Sequence, residues 1–325
     1  MARALRVVKG EGASLVDIPD AEIGKGEVTI DVAWSSLNYK DSLALAGRPG
    51  IVRADRLIAG IDLVGAVSAS ESPDWVVGDR VLVNGCGLGE THDGGLSEVA
   101  RVHADWLVRV PDRFSPPQAA AVGTAGYTAA LAVLALEAHG AMPGDDAEVL
   151  VTGATGGVGG IAILLLAAAG YRVAAATGKT DKHDLLRGLG ATTIVDRSEL
   201  DAAGKPLQSE RWAGVVDTIG GPVLASAIAQ TRYDGTVAAC GNAQSIELST
   251  TVLPFILRGV TLAGINSVLT PRARRLAAWE RLDRDLNLSA LDELTASIGL
   301  GDAIAAADRM LAGETTGRTI VDVRR

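Results

Sequence analysis

Apolar and β-branched residues run in short blocks at 28–32 and 63–67, each bounded by glycine and acidic positions, which is the pattern of strands in an all-β unit. Residues 80–83 and 106–110 repeat it, and residues 1–17 alternate in the same strand-like way. Between these blocks stand Gly47-Arg48-Pro49-Gly50 and a glycine-rich run over 85–95, so the chain up to about Pro117 reads as strands and turns. The period then changes. Small and apolar residues from Pro116-Pro117 through 119–136 predict a helix interrupted only by Gly123 and Gly126. Beyond it, strand-like runs at 149–151, 172–176, 194–195, 214–219, 236–239 and 261–263 alternate with helical segments such as 161–169 and an amphipathic 181–189. Strands alternating with helices predict a doubly wound parallel sheet. The tail, 299–325, carries a helix and then a strand at 319–323 that is expected to return to the first domain.

A chain of 325 residues exceeds what one hydrophobic core usually holds, so two domains are expected. The formal charge of −9 brings no clustered cationic face, which argues against a nucleic-acid partner. The longest apolar run, 161–170, is too short to span a bilayer, and the first residues lack the basic region and apolar core of a secretory signal. Cys86 and Cys240 are too few for a disulfide framework and suit a reducing cytoplasm, the expected location.

The most informative segment is Val149-Leu150-Val151-Thr152-Gly153-Ala154-Thr155-Gly156-Gly157-Val158-Gly159, which lies between a predicted strand and a predicted helix. Glycines there let the backbone approach a pyrophosphate, while the helix N-terminus offers unpaired N–H groups and a positive dipole end. Ala154 occupies the place of the first glycine in the usual G-x-G-x-x-G, giving Ala154-Thr155-Gly156-Gly157-Val158-Gly159. About twenty residues on, where NAD enzymes place a carboxylate on the ribose 2′-hydroxyl, the chain has Thr177-Gly178-Lys179. A hydroxyl, an amide and an ammonium suit a 2′-phosphate that a carboxylate would repel, which favours NADPH, and Lys182 can share the role.

With these residues in order, the chain resembles the medium-chain dehydrogenase/reductase superfamily, in the quinone-oxidoreductase-like branch that includes bacterial NADPH-dependent acrylyl-CoA reductases. The resemblance spans nearly the whole chain. It rests on Trp34-Ser35-Ser36-Leu37-Asn38-Tyr39-Lys40-Asp41, Gly60-Ile61-Asp62, Gly78-Asp79-Arg80-Val81, Gly123-Thr124-Ala125-Gly126-Tyr127-Thr128-Ala129, Asp217-Thr218-Ile219-Gly220 and Pro254-Phe255-Ile256-Leu257-Arg258. It implies an α/β fold: a GroES-like, β-rich catalytic domain formed by residues 1–122 and 267–325, and a Rossmann NADPH-binding domain over 123–266. It further implies a homodimer and a small-molecule substrate, an acyl-CoA. Ala59 and Lys179 depart from the proline and arginine common in relatives, and an ammonium fits phosphate oxygens less well than a guanidinium fork.

Zinc enzymes of this superfamily need a Cys/His/Cys set or its equivalent. Here Leu37-Asn38-Tyr39 and Gly60-Ile61-Asp62 replace the ligand regions, so no metal is expected. Of the histidines, His92 alone lies in the glycine-rich loop, where ordering that loop is its expected role. Alcohol oxidation then lacks the means to lower a hydroxyl pKa, whereas reduction of a conjugated double bond has no such need. Tyr39 is the first candidate to donate a hydrogen bond or a proton to the anion formed as hydride adds, and it is also a candidate cofactor contact. Asn38 can orient substrate or ribose, Asp41 is expected to cap the following helix, and Lys40 to be solvated or paired. Thr155, Gly156, Gly157, Val158, Thr177, Gly178 and Lys179 are the expected cofactor residues of the turn region. By resemblance Asn242, Ile256, Ser267 and Arg318 join them. Arg53 and Arg56 read as surface charge or as contacts to a CoA phosphate. Three functions stay open: an enoyl-thioester reductase converting acrylyl-CoA to propionyl-CoA, a quinone or enone reductase, and an NADPH-binding sensor without turnover.

Overall fold

The computed structural model describes residues 1–19, 22–144, 148–201 and 204–325. They divide into two units. The first comprises 1–124, 267–276 and 291–325, and the second 125–266 and 277–290.

In the first unit Ala2–Val8 and Gly12–Ile18 form an antiparallel hairpin, with Arg56–Ile58 along the other side of Ala2–Val8. A larger sheet runs in the order Thr295–Gly299, Arg318–Asp322, Val28–Leu37, Asp62–Ser70, Arg80–Asn84 and Val108–Arg109, and Val99–Val102 also pairs with Val28–Leu37. Alternation decides which face is buried: Val28, Ile30 and Val32 point into the core while Asp31 faces water. Leu5, Leu63, Val81, Val83, Leu96 and Val321 complete that interior. The strand expected over 106–110 is shorter than its apolar content suggested, because Ala104–Trp106 forms a turn of 3₁₀ helix before Val108–Arg109. The tail returns as expected: Arg318–Asp322 runs antiparallel to Val28–Leu37, pairing Thr319 with Leu37 and Ile320 with Ser36. Residues almost three hundred positions apart in sequence thereby become neighbours.

The second unit holds a parallel sheet in the order Thr193–Asp196, Val173–Thr177, Glu148–Val151, Trp212–Asp217, Thr231–Ala239 and Thr261–Gly264. The central strands Val173–Thr177, Glu148–Val151 and Trp212–Asp217 are buried on both faces and accordingly read as near-continuous apolar runs. Glu148–Val151 is the strand from which the order departs in both directions, so its carboxyl end is the switch point where such sheets bind ligands. The amphipathic segment expected over 181–189 begins as a 3₁₀ turn, Thr180–Lys182, before the short helix His183–Gly188.

Two features depart from the simplest reading of the chain. Residues 277–290, read from sequence as part of the returning segment, cluster with the second unit. Arg281, only 5 % exposed, explains why: its guanidinium donates to both carboxylate oxygens of Glu137 at 2.7 and 2.9 Å and also pairs with Asp285. The other feature is the helix Pro116–Ala138, which is long and apolar enough to cross a membrane, yet 83 % of its most apolar window is buried, as in a core helix. Gly123 interrupts it with φ +48° and ψ −161°, a backbone conformation that side-chain-bearing residues rarely adopt.

Candidate functional site

The site residues fall into two groups, one in each unit. In the second unit, the turn after Glu148–Val151 leads into the helix Gly157–Ala168, whose N-cap is Gly156. The residue that needs positive φ is Gly153, at +59°, which lies one position before Ala154; Ala154 is fully buried and donates its N–H to Ala176 O. A Cβ on Gly153 would lie 2.2 Å from Thr218 Oγ1, and one on Gly159 would lie 2.4 Å from Gly153 O. The working pattern is therefore Gly153-x-x-Gly156-x-x-Gly159: the first glycine turns the chain, the second opens the helix, and the third lets the helix pack on the turn. The loop shape is locked from below by Asp217, which is fully buried. Its Oδ1 accepts from Thr152 Oγ1 at 2.7 Å and its Oδ2 from Gly220 N at 2.8 Å, while Thr218 N donates to Thr152 Oγ1. Burial pushes the Asp217 carboxyl up, opposed by these donors. Burial and Asp217 together push the Cys240 thiol up, which disfavours its thiolate.

At the end of the neighbouring strand, Thr177 is buried and its Oγ1 accepts from Lys179 N at 3.0 Å. Gly178 is exposed, and a Cβ there would stand 3.7 Å from the guanidinium carbon of Arg197. Arg197 was invisible to the sequence reading, since it follows the next strand and meets Gly178 only because Val173–Thr177 and Thr193–Asp196 lie side by side. Its N–H donates to Thr177 O at 3.1 Å, which fixes it at the strand end. Lys182 pairs with Asp181 at 3.0 Å. Thr155, Gly157 and Val158 are half-buried along the turn, and Gly156 is exposed. Asn242 and Ile256 are exposed elsewhere in this unit. A helix N-terminus that opens on glycine, with Lys179 and Arg197 following the ends of the two neighbouring strands, fits a dinucleotide bearing a 2′-phosphate.

In the first unit a carboxylate hub lies beneath Asn38 and Tyr39. Asp62, 1 % exposed, accepts at Oδ2 from Ser36 Oγ (2.6 Å), Asn38 Nδ2 (2.8 Å) and Thr124 N (2.9 Å). Its Oδ1 accepts from Asn84 Nδ2 (2.7 Å) and Thr124 Oγ1 (2.6 Å). Asn38 is the N-cap of the helix Tyr39–Leu45, so Asp41 is not the cap that its position suggested. It reaches back from the first turn, accepting from Asn38 N at 2.8 Å and Asn38 Nδ2 at 3.0 Å, and from Ile61 N at 2.8 Å. Burial and the Asp62 charge push the Asp41 carboxyl up to about 7. Arg318, 3 % exposed, donates to Ala121 O at 2.6 Å and to Asn38 Oδ1 at 3.2 Å, and its Nη2 finds no hydrogen-bond partner among the described residues. Burial lowers the Arg318 pKa, opposed by Asp62 and Asp41. Tyr39, by contrast, is 42 % exposed. Ser267 is half-buried, Arg53 and Arg56 are exposed, and Lys40 pairs with Glu90 at 2.8 Å. His92 orders its loop: its ring nitrogens meet the carbonyl oxygens of Asp93 (2.9 Å) and Lys25 (2.6 Å).

Residues 24–112 match the alcohol dehydrogenase GroES-like domain family and residues 157–283 the zinc-binding dehydrogenase family. No group of three His, Cys, Asp or Glu side chains able to hold a metal occurs among the described residues, so the second family's name brings no ligand set to this chain. The chain is 46 % identical to a protein named probable acrylyl-CoA reductase AcuI from Escherichia coli, over 96 % of this chain and 95 % of that protein. It is 48 % identical to the acrylyl-CoA reductase AcuI of Ruegeria pomeroyi, over 95 % of this chain and 92 % of the relative. Its fold is similar to the crystal structure of the yhdH oxidoreductase from Salmonella enterica in complex with NADP, with a TM-score of 0.96 and 48 % identity over 99 % of this chain and 100 % of that one. The two-unit fold, the glycine turn at the switch point of a parallel sheet and these full-length similarities agree: the chain belongs to the medium-chain dehydrogenase/reductase superfamily.

Proposed function

We propose that this protein is an NADPH-dependent reductase of an activated carbon–carbon double bond in an acyl thioester, converting acrylyl-CoA to propionyl-CoA. The observation that carries the cofactor reading is the turn at Gly153–Gly159 with Lys179 and Arg197 at the end of the adjacent strand. The substrate reading draws on the names of the full-length relatives. The N–H groups of Gly157 and Val158 hold the pyrophosphate with Thr155 and Gly156 alongside, and Thr177, Gly178, Lys179 and Arg197 hold the 2′-phosphate. Bound NADPH supplies the hydride that the β-carbon of the acceptor receives. The chain then has to stabilise charge on the thioester oxygen and deliver a proton to the α-carbon. Tyr39, exposed at a helix start, donates to that anion or supplies that proton. The amide of Asn38 is bonded to Asp62, Asp41 and Arg318, so its contribution is to fix the start of the Tyr39 helix. Asn242, Ile256 and Ser267 remain candidate cofactor contacts, and Arg318 acts from within the hub.

The assembly proposed is a homodimer located in the cytoplasm. Thr261–Gly264 is an edge strand of the parallel sheet, and Leu262, Val252, Ile256 and Leu257 near it in sequence are exposed. Apart from Arg258, residues 248–270 carry no charge, unlike edges protected against pairing. A second copy related by a two-fold axis covers such an edge with its own. Sedimentation should show a dimer for the wild type and a monomer for Leu262→Glu; a monomeric wild type at micromolar concentration contradicts this.

Charge-assisted hydrogen bonds are worth about 1.5–3 kcal/mol, so Lys179→Ala and Arg197→Ala should each reduce the NADPH-over-NADH preference roughly tenfold or more, read from dissociation constants. Equal constants for the two cofactors in the wild type would refute the 2′-phosphate assignment.

Binding energy from the remote CoA portion can position a small acryloyl group that is poorly held by itself. The expected order of kcat/KM, followed by NADPH absorbance, is acrylyl-CoA, longer enoyl-CoA, quinones and last free acrylate. A quinone above every CoA ester would replace the thioester reading with a quinone reductase.

A further inference from the structure

Tyr39 is exposed and stands at the first position of its helix, where ends fray unless tied down. What ties this end down is the residue before it. Asn38 spends both amide hydrogens on Asp62 and Asp41 and its carbonyl on Arg318, so every polar atom of its side chain is committed inside the first unit. Asp41 also holds Ile61 N and Arg318 also holds Ala121 O, but Asp62 gathers the most further contacts. Its other four donors come from Ser36 on the strand Val28–Leu37, from Asn84 at the end of Arg80–Asn84, and from the backbone and hydroxyl of Thr124. One carboxylate therefore gathers two strand ends, the Pro116–Ala138 helix and the cap of the Tyr39 helix.

We propose that Asp62 is the positioning residue for Tyr39, holding through Asn38 the helix start that presents the phenol. This rests on the reading of Tyr39 as the donor to the developing anion. A carboxylate is required because all five partners donate: an asparagine at 62 turns one acceptor oxygen into an NH₂ group that faces donors. The hub also leaves no room for a side chain at 123. A Cβ on Gly123 would lie 2.8 Å from Asp62 Oδ2, 2.8 Å from Arg318 Nη2 and 2.7 Å from Ser36 Oγ, so any other residue there would displace these groups. Glycine at 123 is thus part of the same arrangement.

A double-mutant cycle separates positioning from general support of the fold. Asp62→Asn, Tyr39→Phe and the double variant are compared by kcat for acrylyl-CoA at saturating NADPH, with NADPH dissociation constants measured in parallel. Each single variant should lose about tenfold or more in kcat, the double variant should lose no more than the worse single, and NADPH affinity should stay within about threefold. Losses that multiply in the double variant overturn the role of Asp62 while leaving Tyr39 as the donor, as does wild-type kcat in Asp62→Asn. Wild-type kcat in Tyr39→Phe overturns the Tyr39 reading and this proposal with it. Should Asp62→Asn not fold, Asn38→Ala keeps the four other bonds to Asp62 and enters the same cycle, with the same two outcomes deciding.

Discussion

Taking a carboxylate out of water costs several kcal/mol unless the protein returns the hydrogen bonds it gives up. Asp62 is placed where that requirement shapes a whole unit. At 1 % exposure it needs partners at both oxygens, and it obtains five by drawing together Ser36, Asn38, Asn84 and Thr124. The returning strand Arg318–Asp322 then brings a guanidinium onto the other side of Asn38, and Gly123 removes the one side chain that would block the approach. The first unit is built of three chain segments, and in this cluster residues 1–124 and 291–325 are joined by hydrogen bonds from Arg318 as well as by strand pairing.

The second unit meets a different constraint, that of bringing backbone close to a phosphate. Gly153 and Gly159 are required by contacts of 2.2 and 2.4 Å that any Cβ would make, and Asp217 with Thr152 and Thr218 supports the turn from beneath. Specificity is added at its rim. The Lys179 backbone is fixed through Thr177 Oγ1, and the Arg197 guanidinium lies beside Gly178, at a distance that even a Cβ there would meet as ordinary van der Waals contact. The common arginine at 179 is absent, and a guanidinium arrives from the neighbouring strand instead.

Much of this was legible before any coordinates. The β-branched blocks, the alternation of strands with helices and the strand–glycine–helix turn gave the two kinds of unit, because each depends on local periodicity and on residues adjacent in sequence. What stayed hidden depends on proximity across the fold. Arg197 reaches Gly178 through parallel pairing of two strands, and Asp62 reads in sequence only as part of a replaced metal-ligand region, with nothing to signal that Ser36, Asn38, Asn84 and Thr124 converge on it. Ala154 seemed to break the glycine pattern because the residue requiring positive φ is Gly153, one place earlier. Asp41 resembled a cap since it is acidic near a helix start, but the helix begins at Tyr39 and Asn38 takes that position. The segment 277–290 joined the second unit through Arg281 and Glu137, a pairing over 144 residues that no local pattern signals.

Position-specific isotope transfer tests the account most directly. Acrylyl-CoA is reduced with NADPH carrying deuterium at the transferable position of the nicotinamide, and the product is analysed by mass spectrometry and NMR. The account predicts propionyl-CoA with one deuterium on the β-carbon and a solvent-derived proton on the α-carbon. Deuterium at the α-carbon, or no NADPH-dependent saturation of the double bond, would contradict it.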